Sequence, residues 1–565
     1  MQDSTFSNTD TSSRVDFRSN HSIAARFEQE LDSNNILIVK ANTRFSHNDA
    51  RYNQSQYFTG SNDLPSNNLD IDNDNLLDSW RLSGSGIFRH RFKKKGRSFA
   101  LSAGYNSNKS DGSENLFSIN RFFRAGTVTE QIRQLNTNDN IGRQIKSSML
   151  FTEPLSKKWY WETFYNFSRA DNEVNRQVVD PELNNERIDN LSVFYDNTLL
   201  YNRLGSSIRY SYDGLNATVG AAAQHLQLDG AYSTDRNTPL LTDPIRRSFL
   251  NYTPNVDISY EFPSNLWLSA EYSYEINEPQ LNDLQPVPNV SNPAYRIEGN
   301  PNLTPQRSHS LGLNLNYWNP ASLSSVGIGS NLNLFDNQII YNQTIELIDS
   351  IGIRTITRPD NVSGGNRFNL YLWSNFPIVK TKLTMNVNGN INLGQSPSLV
   401  NGIENETFNK GFNIRAGLNA TPTQKLIFGL SGNLRFNDIS YSIQEEQNQQ
   451  IQNHSVDASV KWQFLSKSFF ESNFNYAVYR NDRFDFNQDI PTWNASVRRI
   501  VGKQNRLEIR LAAFDIFNRR VSITQNGTQN YVVRNIAGTL ARYFMLSASY
   551  NMRGYENKIN KNQWW

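Results

Sequence analysis

The stretch KLTMNVNGNINLG, residues 382–394, decides the fold. Leu383, Met385, Val387, Gly389, Ile391 and Leu393 take one set of alternate positions; Thr384, Asn386, Asn388, Asn390 and Asn392 take the other. Successive side chains of an extended strand point to opposite faces, so one face here is apolar and the other is a row of amides. Such a row is no dry core, because each amide buried without a partner costs about 1–3 kcal/mol. The amide face meets water. The apolar face needs either a soluble core or lipid. The same two-faced pattern recurs at 37–46, 98–107, 265–276, 311–317, 426–436, 455–464 and 470–478.

Length separates the two environments. The alternating runs last roughly 10–14 residues, whereas soluble strands average about 5–6 and a tilted strand needs about 9–11 to cross a bilayer. No run of about 18 apolar residues is present, so no transmembrane helix is predicted. The connections sort into two classes in strict alternation. Short turns fall at 32–35, 93–97, 153–158, 212–215, 262–265, 319–322, 377–381, 420–424, 465–468 and 501–505. Between them lie long polar connections such as 47–77, 108–140, 171–200, 229–251, 277–305 and 339–365. Transmembrane barrels have short periplasmic turns and long extracellular loops, an asymmetry that a soluble sandwich has no reason to keep. The expected fold is therefore all-β, a large antiparallel transmembrane β-barrel with its apolar faces in lipid. Closure would leave no strand edge unsatisfied in the bilayer. The aromatic run 157–167 and the pair Phe469 and Phe470 lie beside short turns, where aromatic girdles are expected at the headgroups.

Composition agrees with this reading and excludes others. Of 565 residues, 37% are hydrophobic and 12% aromatic, and Phe and Tyr (33 and 25) far outnumber Met (5). The mean hydropathy of −0.63 is low, yet this aromatic content is foreign to disordered chains. A net charge of +3 does not point to nucleic acid as a partner. The absence of cysteine removes disulfides, thiolate metal sites and cysteine nucleophiles.

The pattern gives about 21 strands, the first near 21–32 and the last near 538–552. Single-chain bacterial barrels have even strand numbers, so about 22 is the expected total. An odd visible count places the start of the chain outside the cell. The expected division is an incomplete lead-in at 1–20, a barrel at 21–552 and a tail at 553–565. The opening MQDSTFSNTD has neither the basic nor the apolar region of a signal peptide. On both grounds the chain is read as a C-terminal portion of a longer protein.

Two segments carry a resemblance. YRIEGNPNLTPQRSHSLGLNLNYWN, residues 295–319, resembles the GNPNLxPE segment of TonB-dependent outer-membrane receptors, especially those of Bacteroidota. Gly299, Asn300, Pro301, Asn302, Leu303 and Pro305 match, with Gln306 in place of the usual Glu. Nearer the end, Asp515, Asn518 and the strand RYFMLS (542–547) are similar to the closing strands of the same group's outer-membrane β-barrel subfamily. The resemblance implies a Gram-negative outer-membrane location, a substrate bound at external loops, and a plug in the lumen that TonB rearranges. Neither the plug nor a TonB-contacting segment is visible in this sequence.

Residues for chemistry are sparse. His21, His47, His90, His225, His309 and His454 show no metal-ligand spacing, and HExxH, a phosphate-binding loop and a nucleophile elbow are absent. No enzyme activity and no cofactor are expected. Asp70, Asp72 and Asp74 alternate as oxygen donors and make a weak calcium candidate, although Asn75 and Arg81 stand where an EF-hand needs Gly and Glu. Asparagine-rich loops with Tyr and Trp suit sugars or peptides. Two functions remain: a receptor and transporter barrel, or a structural barrel that scaffolds envelope partners such as lipoproteins.

Overall fold

The computed structural model describes residues 7–552 apart from 60–63, 124–126, 190, 234, 236–238, 240–243, 285–288, 293–294, 349–351, 444, 446–447, 482–485, 503, 528–531 and 539. Nearly all of it is one 25-stranded sheet. Four members are loop additions: Glu186–Arg187, Asn289–Asn292, Tyr295–Ile297 and Gly352–Val362. The remaining 21 follow one another in chain order, each antiparallel to the next, from Ser7–Glu30 to Tyr543–Tyr550. Among the described residues no pairing joins these two outermost strands. Both descend from the long-loop end to the short-turn end, so they lie in the same sense. Among the described residues no helix is long and apolar enough to cross a membrane.

The short turns are built from residues that tolerate left-handed backbone. Asp213 and Gly214 (φ 49° and 79°) form a two-residue hairpin turn, and a Cβ at Gly214 would strike the carbonyl of Glu261. In the first turn, Asn34 and Asn35 donate backbone N–H groups to Asp32 Oδ1 at 2.7 and 2.9 Å. The Asn35 side chain and these backbone bonds hold the Asp32 carboxyl below its usual range. At the rim one turn further on, Lys94 and Arg97 reach Glu153 at 2.6 and 2.5 Å. Arg97 and then Lys94 lower the Glu153 carboxyl to about 2.

Register confirms which face is which. Asn388 lies opposite Trp373 and Arg415, and Asn390 opposite Tyr371 and Asn413, all on the lumen face. Leu313, Leu372, Phe412 and Leu430 take the other parity and are exposed, as a lipid-facing surface requires. Trp159 and Trp462 share the lipid-facing parity and are also exposed, each within a few residues of a short turn. They occupy the level at which interfacial aromatics anchor a barrel.

Several strands are much longer than alternation predicts. Pro65–Arg91 and Val128–Pro154 each have 27 residues, and Asn35–Thr59 and Ser98–Phe122 have 25. At about 3.3 Å per residue such strands far exceed a hydrocarbon core of about 30 Å. Much of what reads as loop at 47–77, 108–140, 171–200, 229–251 and 339–365 is paired strand rising outside the membrane. The physical reason is that the ladder continues where both faces meet water, so apolar alternation stops while pairing does not. The first strand likewise begins at Ser7, so the lead-in expected at 1–20 is wall from that residue on. The tail at 553–565 lies outside the described residues.

Compact apolar clusters sit in these extensions. Phe58, Leu69, Ile71 and Leu116 pack together near one set of hairpin tips, and Val193, Tyr195 and Tyr232 near another. They pin the hairpins to each other above the bilayer.

Candidate functional site

The segment containing Gly299 to Pro305 fastens the external end. Leu303 is 2% exposed and packs with Leu228 and Leu284. Asn300 donates from Nδ2 to the Pro359 carbonyl at 3.0 Å and to Asp360 Oδ1 at 2.9 Å, while its Oδ1 accepts from the Asn302 backbone at 3.0 Å. Asn337 Nδ2 donates to the Pro305 carbonyl at 2.8 Å. Tyr341 donates to Asp283 at 2.9 Å; burial first, and then this carboxylate, push the phenol up to about 12. The motif thus ties the hairpin of Ser324–Ile348 and Gly352–Val362 to the loop before it. Pro301 and Pro305 bracket the turn that makes these contacts.

Asp515 and Asn518 close the strand Leu507–Phe514. Asp515 is 2% exposed, accepts from the backbone N–H groups of Arg519 and Arg520 at 3.1 and 3.0 Å, and donates its own N–H to Asn494. Asn518 accepts from the Arg542 N–H at 2.9 Å. Both residues have positive φ, 47° and 55°.

The inner wall holds the polar surfaces. At the periplasmic end, Arg498 bridges Glu471 and Glu508 at 3.2 and 2.9 Å, and Arg510 reaches Glu471 at 3.1 Å. Phe469 lies beneath, with the Arg498 guanidinium 3.9 Å from its ring centre. Phe469 therefore faces inward, against the girdle expectation; it shares its face with Arg498, while Phe470 pairs with Trp462 and Val497 on the lipid side. The two neighbours cannot share a face in a strand.

Two large concavities divide the rest of the lumen wall. One, of about 1400 Å³, is lined by small polar residues that include Ser83, Ser85, Ser102, Gly104 and Ser148. The other, of about 1350 Å³, is lined by amides that include Asn388, Asn390, Asn392, Asn413 and Asn433, with Arg367, Arg415 and Arg435 among them. Among the described residues no carboxylate lines this second concavity. Beside it, Tyr371 and Trp373 lie across Gly329 and Gly327, where any Cβ would collide with the rings. Tyr371 donates to Asn314 Oδ1 at 2.5 Å. The sequence reading found the asparagine row but missed these rings and guanidinium groups. Counting register outward from a turn at 377–381 puts Trp373 opposite Met385; the pairing with Asn388 arises from the register shift between Pro377 and Val379.

The remaining candidates separate. Asp70, Asp72 and Asp74 lie on the outer face of one extended hairpin, alternate along a strand, and have Cα atoms about 6.6 Å apart in sequence order. Asp70 accepts from Ser55 at 2.7 Å and Arg121 at 2.6 Å, and Asp74 from Arg51 at 2.8 Å. Burial raises the Asp70 carboxyl, but Ser55 and Arg121 outweigh it and hold the group below its usual range. The histidines pair individually: His47 with Asp78 at 2.8 Å, His90 with Asn35 at 2.7 Å, His225 with Ser248 at 2.9 Å and His309 with Tyr272 at 2.9 Å. Among the described residues no three His, Asp or Glu side chains are placed to hold a metal ion.

Comparison with known proteins adds the family. Residues 90–470 match the outer membrane protein beta-barrel family. No curated protein matches the chain in sequence. Among solved structures, it is similar to the siderophore receptor PirA from Pseudomonas aeruginosa at 10% identity and a TM-score of 0.35, covering 94% of this chain and 80% of that one. The alcaligin outer-membrane receptor FauA from Bordetella pertussis matches at 13% identity and a TM-score of 0.41, covering 85% and 75%. The copper transporter OprC matches at 10% identity and a TM-score of 0.47, covering 95% and 82%.

Proposed function

The chain belongs to the outer membrane protein β-barrel family of the Gram-negative outer membrane, and from that premise we propose that it serves as the wall of a TonB-dependent type of receptor and transporter. In this reading the extended hairpins capture a substrate outside, and the lumen encloses a plug that TonB rearranges for energised uptake. The observation that carries it is the inner wall itself. It carries two polar concave surfaces of about 1400 and 1350 Å³. The GNPNL resemblance supports the same reading.

The protein purified in detergent from its own outer membrane should be retained on immobilised TonB C-terminal domain. Loss of retention, together with stable co-purification of lipoproteins or secretion components, would overturn the transport reading and establish the scaffolding one.

A further inference from the structure

We propose that the amide and arginine concavity, with Tyr371 and Trp373 at its side, binds an acidic oligosaccharide. This rests on the receptor reading and names its substrate class. Three features converge on one wall. First, Asn388, Asn390, Asn413 and Asn433 fill neighbouring register positions on adjacent strands. An amide both donates and accepts, which matches the paired hydroxyls of a sugar. Second, Tyr371 and Trp373 are exposed, 41% and 38%, on the lumen face. Each lies over a glycine, Gly329 or Gly327, and so keeps a flat apolar ring toward the lumen. Sugar rings present C–H faces to such platforms, while their hydroxyls need the polar groups alongside.

Third, the charge is one-sided. Arg367, Arg415 and Arg435 are exposed within the field, and among the described residues no carboxylate lines it. Arg367 and Arg435 form no side-chain ion pair among the described residues, and Arg415 only donates to Ser431 at 3.2 Å. Asp457 lies opposite Ser431 at the border, where the Asn475 amide donates to it at 2.8 Å. A guanidinium recognises a planar carboxylate through paired donors. A neutral glycan leaves this charge unused, and an acidic peptide leaves the flat rings and hydroxyl-matched amides unused. A carboxylate-bearing sugar chain uses all three.

The test is calorimetric titration of the detergent-purified protein with hexagalacturonate, with maltohexaose and hexaglutamate as length-matched probes. Hexagalacturonate should bind, weaken as salt rises, and outcompete both others. The double substitution Arg415→Gln and Arg435→Gln should lower its affinity roughly tenfold or more, and Trp373→Leu should lower it with less change in salt dependence. Heat-shifted mobility on gels checks that each variant remains folded. Absence of hexagalacturonate binding, equal binding of either control, or an unchanged folded double variant overturns the proposal. Capture on TonB from the same preparation keeps the two readings apart. Capture without saccharide binding removes only this inference, and saccharide binding without capture removes only the transport reading.

Discussion

The lower and upper parts of the same strands obey one backbone rule and two solvent rules. In Pro65–Arg91, the lower residues Leu82, Gly84, Gly86 and Phe88 share the lipid-facing parity. The upper residues of that parity are Asp70, Asp72, Asp74, Leu76 and Asp78, acidic at all but one position. The ladder is unbroken between them, with Asp70 opposite Ser55 and Phe88 opposite Leu37. Below, the outward side chains need only be apolar. Above, they form cross-strand polar contacts such as Asp70 with Arg121 and Asp74 with Arg51. Pairing alone does not tell a membrane strand from an external one; the outward parity does.

If that contrast is right, the upper region depends on its local packing. Leu303→Ala should have the largest effect, costing about 2–5 kcal/mol because it empties a buried position. The loss should be local: faster proteolysis near 277–305 with the membrane-embedded wall still resistant. Uniform destabilisation of the whole barrel would show that upper and lower parts unfold together.

The lower region should respond to polarity by face. Leu313→Arg, at mid-depth on the lipid side, should cost about 2–4 kcal/mol in unfolding titrations from micelles or bilayers. Asn388→Arg, on the lumen side, should be tolerated. Equal losses at the two positions would reverse the assignment of faces.

The smallest effect belongs to the periplasmic rim. The Glu153 carboxyl is lowered from an ordinary 4.5 to about 2, by Arg97 first and Lys94 second. A carboxyl lowered by folding stabilises the native state above its unfolded value, and that contribution is lost as acid protonates the folded group. Wild-type stability should therefore fall between about pH 4.5 and about pH 2 more steeply than that of Glu153→Gln. Parallel pH profiles would remove Glu153 from the account.

The same contrast explains what the sequence made legible. Membrane strands were readable because lipid imposes alternation, and KLTMNVNGNINLG displays it residue by residue. The short turns were readable from pairs such as Asp213 and Gly214. The upper strands were not, because residues 65–79 carry Asn and Asp at consecutive positions and show no apolar period. Phe469 was misplaced because two adjacent aromatics have the same composition whichever one turns inward. The lumen site was half visible. Its asparagines announced a wet face, but Tyr371, Trp373 and Arg415 join them only through register with distant strands.

The long external hairpins also bear on the thermodynamics of capture. A flexible loop loses conformational freedom when it closes on a ligand, and that loss subtracts from affinity. Here much of the extracellular backbone is already hydrogen-bonded in 25- to 27-residue strands and pinned by Leu69, Leu116 and Leu303. A ligand entering this vestibule meets a surface whose ordering was completed during folding. Variation in binding strength among such hairpins should then follow side-chain contacts more than loop mobility.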